Sequence, residues 1–578
     1  MSQERSLVGA WRVGWRLATY RPWLFSWSMG VWVLFHALPL GVGLVLNRVF
    51  DRLAGPGPAA PGLLALLGVM AGLELGRAAT LRFAMVAWVG TWHNSGALLR
   101  ANLLRAQLAS GGAEAATLPE SPGDAVSRFR DDVEDVLKFL DTWLDVAGTA
   151  LFAGVAVVVM VRIDLAVTVA VVLPLVTMAV ATRALTARIR AWRAADRVAT
   201  SAVTGFLGEL FGSVLSVKAA GAADAALGRL RALNDTRGRA ALRDQLCSSL
   251  LDSFNASTVD VAIGLVLLLA APAMRSGHFT VGDLTLFAAY TGQLVWLPYF
   301  SGRLLVRRRQ TAVAVERMAR LLPPGRSADL VVHRPLDLTI APDARLPPLE
   351  RPAAPARPGG PAAGPLLAAR GLVATFPGAR RGLLGVDLTL EPGTLTVIGG
   401  PIGAGKTTLL RALLGLMPLD AGELRWRGEP VADLAAWMVP PRCAYVAQVP
   451  RLFSESLADN LLLGAAPRPG ALDTALRLAV LDEDVAAMPE GVATLVGARG
   501  VRLSGGQAQR AAVARALVQR AELLVLDDVS SALDTETEAR MWARLLAAGT
   551  TCLAVSNRAA TQDRADQVLT MEAGHLAG

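Results

Sequence analysis

The chain has 578 residues but only three cysteines, three lysines and five histidines. Cys247, Cys443 and Cys552 are scattered, with no metal-ligand spacing, which excludes a zinc module and leaves free, partly buried thiols as the expectation. Lys138, Lys218 and Lys406 are the only lysines, so arginine carries nearly all the positive charge. No internal repeat and no RNA- or DNA-reading motif is visible, and nucleic acid is not an expected partner. A cleavable signal peptide is not expected either, because the first apolar run is too long and lacks a small-residue cleavage site.

What the chain has in abundance is apolar length. Hydrophobic residues make up 53% and the mean hydropathy is +0.42, more than soluble domains carry. Taking ~20 residues as the length needed to cross a bilayer, six spans are expected, near residues 22–47, 61–92, 139–161, 164–186, 250–274 and 280–303. Glu74, Arg77 and Arg82 interrupt the second. Arginines crowd the N-terminal arm (Arg5, Arg12, Arg16, Arg21) and the long connections 93–138 and 187–249. The positive-inside rule then puts the N-terminus, both long connections and the C-terminal domain 366–578 in the cytosol. Net charge is +9, yet residues 366–578 hold 20 Lys+Arg against 22 Asp+Glu, so the excess belongs to the first half. Anionic inner-leaflet lipid accounts for it. Charged groups inside the spans are costly; His36, Glu74, Arg77, Arg82, Asp252 and Asp260, with Gln293 and Trp296 beside them, either pair between helices or line a cavity. Trp23, Trp88 and Trp92 read as interface anchors.

The second half carries ordered chemistry. Gly400-Pro401-Ile402-Gly403-Ala404-Gly405-Lys406-Thr407 lies between an apolar strand, Leu395 to Ile398, and a helix. Gly400, Gly403 and Gly405 let backbone N–H groups curl around a phosphate. In this pattern the Lys406 ammonium reaches the β- and γ-phosphates, the Thr407 hydroxyl ligates Mg²⁺ and Thr408 follows on the helix N-terminus. Leu523-Leu524-Val525-Leu526-Asp527 reads as a buried parallel strand whose final acid holds Mg²⁺ through water. Between the two lies Leu503-Ser504-Gly505-Gly506-Gln507, a second anion-binding helix start.

These motifs, in this order, resemble the ATP-binding cassette (ABC) proteins over residues 366–572. The resemblance implies that Phe376 stacks on adenine and that Gln448 senses Mg²⁺ and meets the membrane domain. It implies that Leu503 to Gln507 press on the γ-phosphate of the opposite subunit's ATP. Ser531-Ala532-Leu533-Asp534 would form the loop that crosses the dimer interface. Val126 to Val133 and Gly208 to Gly221 are similar to the exporter's coupling segments.

Three positions depart from the family pattern. Asp528 stands where a Glu polarises the attacking water; it is one methylene shorter, and a misplacement near 1 Å can cost ~10²-fold. Asn557 stands where a His holds the γ-phosphate and the water; an amide donates a hydrogen bond but carries no charge and shuttles no proton. Ala498, in Gly497-Ala498-Arg499-Gly500, stands where exporters carry Glu.

The expected architecture is therefore a six-helix α-helical transmembrane domain (1–323), a Pro/Ala-rich linker (324–365) and an α/β P-loop nucleotide-binding domain (366–578) using ATP and Mg²⁺. With one phosphate loop and one signature, the chain resembles half of a type IV exporter. It would sit as a multi-pass protein in the cytoplasmic (inner) membrane and move a small amphipathic substrate (drug, lipid or peptide) across the bilayer. The weak hydrolytic set Asp528, Asn557 and Gln448 implies a heterodimer with a second half-transporter that has the Glu and the His. The alternatives are a homodimer with slow sites and an ATP-gated regulatory subunit.

Overall fold

The computed structural model describes residues 2–55, 60–109, 122–323, 325–336, 364–375, 382–464, 468–497 and 503–577. Phe376, Ala498, Arg499, Gly500 and stretch 337–363 lie outside the described residues, as do the side chains of Cys247 and Asp252. The chain divides into two compact units. The first comprises 1–102, 126–320 and 328–339; the second comprises 103–125, 321–327 and 340–578.

The first unit is helical. Its elements are α1 (Ser2–Ala18), α2 (Pro22–Ala54), α3 (Ala60–Ala109, whose last turns count with the second unit), α4 (Pro122–Ser127), α5 (Val133–Ile163), α6 (Leu165–Gly212), α7 (Val214–Ala219), α8 (Ala223–Arg275), α9 (Val281–Leu294) and α10 (Trp296–Ala319). Local chemistry sets several starts. Pro22 occupies the first turn of α2. Asp164 caps α6 by accepting from the Val167 N–H at 3.0 Å. Thr280 and Asp283 form a reciprocal capping box on α9. The core gathers Phe152, Ala156, Met160, Val171, Val266 and Phe287. The buried Tyr290 hydroxyl donates to the Leu40 carbonyl at 2.8 Å, and its ring fills the space that a Cβ at Gly43 would need.

Three helices among the described residues are long and apolar enough to cross a membrane: Pro22–Ala54, Gly62–Leu108 and Ala125–Ile163. The other three expected spans fall on α6, α8 and the pair α9–α10. In α6 the apolar run includes Leu165–Thr177 among the described residues. The sixth span departs from expectation because it is two helices, broken at Val295. Pro298 has no N–H for the carbonyl four residues back, so the chain restarts with the proline in the first turn of α10.

The arginine-rich N-terminal arm is the amphipathic helix α1. Ala10, Val13 and Leu17 are buried at helical spacing. Trp11 packs on Phe139 and Trp143, with ring centroids 5.2 and 5.0 Å apart. Part of the stretch expected as linker is packed. Ser327–Val331 form a 3₁₀ turn with Leu330 and Val331 buried. The Asn102 amide donates to the Leu330 and Val332 carbonyls, the Tyr20 hydroxyl to the Arg334 carbonyl at 2.7 Å, and Arg21 to the Leu336 carbonyl. Two apolar side chains and this pairing to backbone carbonyls hold 328–336 within the first unit, although the stretch 324–365 is rich in Pro and Ala.

Of the charged groups expected within the spans, His36 pairs with Asp145 at 3.7 Å, and the Trp32 indole N–H donates to the same carboxylate at 2.8 Å. Glu74 and Arg77 pair at 4.0 Å, as their i,i+3 spacing predicts, and Arg77 lies over the Phe35 ring. Trp296 stacks on Phe300.

The second unit holds two sheets. The antiparallel one has the order β2-β1-β4-β5, from β1 (Leu367–Thr375), β2 (Gly382–Leu390), β4 (Ala421–Trp426) and β5 (Glu429–Pro430). The other has the order β10-β9-β3-β8-β7-β6, from β3 (Leu395–Gly399), β6 (Cys443–Val446), β7 (Leu523–Asp527), β8 (Thr551–Val555), β9 (Gln567–Glu572) and β10 (His575–Ala577). It is parallel except at β9–β10. Every residue of β3, β7 and β8 is buried, as a parallel sheet covered on both faces requires. The covering helices are α11 (Lys406–Leu413), α12 (Leu434–Trp437), α13 (Leu457–Leu462), α14 (Ala471–Leu478), α15 (Asp482–Ala486), α16 (Gly505–Val518), α17 (Thr535–Ala547) and α18 (Ala559–Gln562).

Candidate functional site

The carboxyl ends of β3, β6, β7 and β8 lie side by side, the position where open parallel sheets bind ligands. The loop from β3 to α11 is built on glycine. Gly400, Gly403 and Gly405 have φ of +128°, +83° and +108°, and a Cβ at Gly400 would lie 2.2 Å from the Met571 carbonyl oxygen. Only glycine fits there. The Lys406 ammonium donates to the Gly400 and Pro401 carbonyls at 2.6 and 2.8 Å, which folds the side chain back over the loop.

β7 delivers two adjacent acids. Asp527 is buried; its Oδ1 accepts from the Thr407 hydroxyl at 3.3 Å and its Oδ2 from the Tyr445 hydroxyl at 3.2 Å. Burial pushes the Asp527 pKa up and neighbouring Asp528 adds to the rise, while the Thr407 and Tyr445 hydrogen bonds oppose it. Burial, with Asp527 beside it, pushes the Tyr445 phenol up to about 12. Asp528 turns the chain in the left-handed region at φ +52°, which Asp tolerates better than most residues, and its carboxylate accepts from the Gln448 amide at 3.2 Å. Asn557, just beyond β8, accepts from the Gly400 N–H through Oδ1 at 3.1 Å. One face of the amide is therefore committed to the phosphate loop.

The oxygen donors suit a hard divalent ion. Among the described residues no group of three or more His, Cys, Asp or Glu could hold a metal alone. A hydroxyl and a carboxylate 3.3 Å apart are instead the sparse protein set with which Mg²⁺ is held when phosphates complete the shell.

Contacts at Gly400 link Lys406 with Asn557, and contacts at the end of β7 link Thr407 with Asp527 and Gln448 with Asp528. Thr408 follows in the first turn of α11. Ser504 and Gln507 have a different neighbourhood. Ser504 caps α16, with the Gln507 side chain returning to its N–H at 2.9 Å. The Gln507 amide then donates to Asp484 at 2.8 Å, and Arg510 pairs with the same carboxylate at 2.5 Å. Gly506 packs on the Ala532 carbonyl, where a Cβ would come within 2.9 Å. Leu503 and Gly505 flank this turn. Asp534 caps α17, accepting from the Thr537 N–H at 2.9 Å, and those hydrogen bonds hold its carboxyl below the usual range. The sequence reading missed Tyr445, Asp484, Arg558 and Glu538 as partners. The only local signal was the acidic run Asp482-Glu483-Asp484.

Two family models match the chain: ABC transporter transmembrane region over residues 33–297, and ABC transporter over 383–531. Among curated proteins, the ATP-dependent lipid A-core flippase of Burkholderia pseudomallei (strain 1710b) is 40% identical over 199 residues, covering 34% of this chain and 33% of the flippase. The protein of the same name from Dechloromonas aromatica (strain RCB) is 38% identical over 211 residues, 36% of each chain. The match thus spans about a third of the length of these relatives. A solved bacterial Atm1-family ABC exporter with ATP bound shares the fold, with a TM-score of 0.76 and 21% identity over 97% of this chain and 96% of that one. The chain is thus an ABC transporter polypeptide, carrying the family's transmembrane region and, after it, its ATPase domain.

Proposed function

We propose that the chain is one half of an ATP-driven exporter, and that its own ATP site binds nucleotide firmly but hydrolyses it slowly. The observation that carries this reading is the pairing at the two substituted positions. Asp528 is held by Gln448, and Asn557 is spent as an acceptor on Gly400. Phe376 would stack on adenine, while loop N–H groups and Lys406 would take the phosphates once the ammonium leaves its two carbonyls. Thr407 and, through water, Asp527 would hold Mg²⁺, which neutralises phosphate charge when bound. Asp528 orients water from a retracted position. Asn557 has an N–H to offer but neither the charge nor the titration of an imidazole.

In a head-to-tail pair, Leu503 to Gln507 would complete the opposite ATP site, and Asp534 would lie in the loop between the two. The partner would be a second half-transporter with the Glu and the His. The N-terminus and ATPase domain would face the cytosol from the inner membrane. An amphipathic, lipid-like substrate is supported by the lipid flippase names of the relatives, although their similarity covers only about a third of each chain.

Purified alone in nanodiscs, the full chain should bind a fluorescent ATP analogue with Mg²⁺ and turn ATP over very slowly. Lys406→Ala should abolish that binding. Brisk turnover by the chain alone would refute the slow-site assignment and favour an active homodimer.

A further inference from the structure

Asn557 and Arg558 are adjacent, and their side chains engage different loops. Asn557 holds the Gly400 N–H of the phosphate loop. The Arg558 guanidinium holds the loop before α17, donating to the Leu533 carbonyl at 2.9 Å and the Ser531 carbonyl at 3.4 Å. It also pairs with Glu538 at 2.6 Å. Glu538 lies one turn beyond Asp534 and is 1% exposed, and its other oxygen accepts from the Thr561 hydroxyl. The short segment joining these contacts is itself fixed. Ser556 is buried and donates its N–H to the Ile398 carbonyl at 3.2 Å. The far side of the gripped loop meets Gly506 at the Ala532 carbonyl, and the Ser531 hydroxyl returns to the Asp528 carbonyl at 2.8 Å. The contacts at Gly400 and at the loop 531–534 are therefore made by two adjacent residues.

We infer that Arg558 is a positioning residue that couples nucleotide at this chain's phosphate loop to the loop 531–534, and through it to the opposite ATP site. The inference rests on the head-to-tail arrangement proposed above. The planar guanidinium suits the task because it spans two carbonyls and a carboxylate at once; an ammonium is a point charge that cannot hold all three in one fixed fork. Glu538, buried and charged, fixes the guanidinium in turn.

The test uses the exporter assembly as it purifies from its native membrane, reconstituted in nanodiscs. Arg558→Lys keeps a positive charge beside the buried Glu538, and Tm checks that the fold is kept. The expected result is a fall in kcat of about 10-fold, by analogy with small misplacements of reacting groups. KM, affinity for the fluorescent ATP analogue and Tm should stay near those of the parent. Glu538→Gln, which keeps an acceptor but no charge, should repeat the pattern more weakly. Unchanged kcat in both variants would overturn the inference. So would a parallel fall of affinity, Tm and kcat, because that is the mark of a purely structural clamp. Lys406→Ala, measured alongside, separates the two levels: full nucleotide binding in that variant would refute the site itself, whatever Arg558 does.

Discussion

On the proposed slow-site reading, Asp528 stands one methylene short of a Glu, and Asn557 lacks the titratable ring of a His. The two deficits are of different kinds, length and protonation, so they should be reversible separately. Asp528→Glu returns reach but leaves the γ-phosphate side without an imidazole. Asn557→His returns a titratable ring, which can accept from the Gly400 N–H only through its unprotonated nitrogen and so only while neutral. The double variant should raise the turnover of the isolated chain by roughly 10²-fold, the scale of a well-placed general base. Either single variant should gain much less. Phosphate-release kinetics on the three proteins would decide the matter, and a double variant as slow as its parent would mean that the slowness has another origin. Tyr445 belongs to the same scale. It stood in the open in Tyr445-Val446-Ala447-Gln448, but its bond to Asp527 arises only because β6 lies beside β7.

The central strands carry a check on how tightly the ATPase domain closes. Cys443 on β6 and Cys552 on β8 are buried, and burial pushes both thiols up to about 12. An unfolded thiol ionises near ~8.5. The neutral form is therefore favoured by the fold; its contribution to stability is whole below the unfolded value and is lost as pH rises towards the folded one. At pH 8 a maleimide should modify these two residues only as fast as the domain opens, and thermal stability should decline above about pH 9. Rapid labelling of Cys443 or Cys552 in the folded chain, read by peptide mass spectrometry, would contradict the packing. Elements also mark where sequence reading stopped. The phosphate loop and the strand ending in Asp527 were legible because each needs a fixed order of residues within one short segment. The burial of Leu330 and Val331, the break at Val295 and the pairing of His36 with Asp145 were not, because each depends on a partner or a backbone accommodation that composition and span length do not encode. The acidic triplet of α15 lies between the two cases. Asp482, Glu483 and Asp484 are obvious as charges, yet each takes a different arginine: Arg544, Arg540 and Arg510. Two of those lie on α17 and one on α16, so a five-residue helix ties the signature helix to the helix that follows Asp534.

At the scale of the whole molecule, the asymmetry proposed between two ATP sites predicts unequal losses. Asp528→Asn in the native assembly should leave most steady-state ATPase intact, because little catalysis at this site remains to be lost. Removing the corresponding Glu of the second half should cost of the order of 10²–10⁴-fold. Equal, large losses from the two changes would show that both sites hydrolyse. The rarity of lysine has its own consequence at this scale. Lys138 pairs with Glu134 on α5 at 2.9 Å, Lys218 is exposed on α7, and Lys406 is folded over its loop carbonyls. Beyond the terminal amine, an acylating reagent therefore has three addresses on 578 residues: one in a membrane-crossing helix, one on a long polar connection and one where phosphate would bind. Lys218 serves as an internal standard, and protection of Lys406 relative to it reports occupancy of the loop without any engineered label.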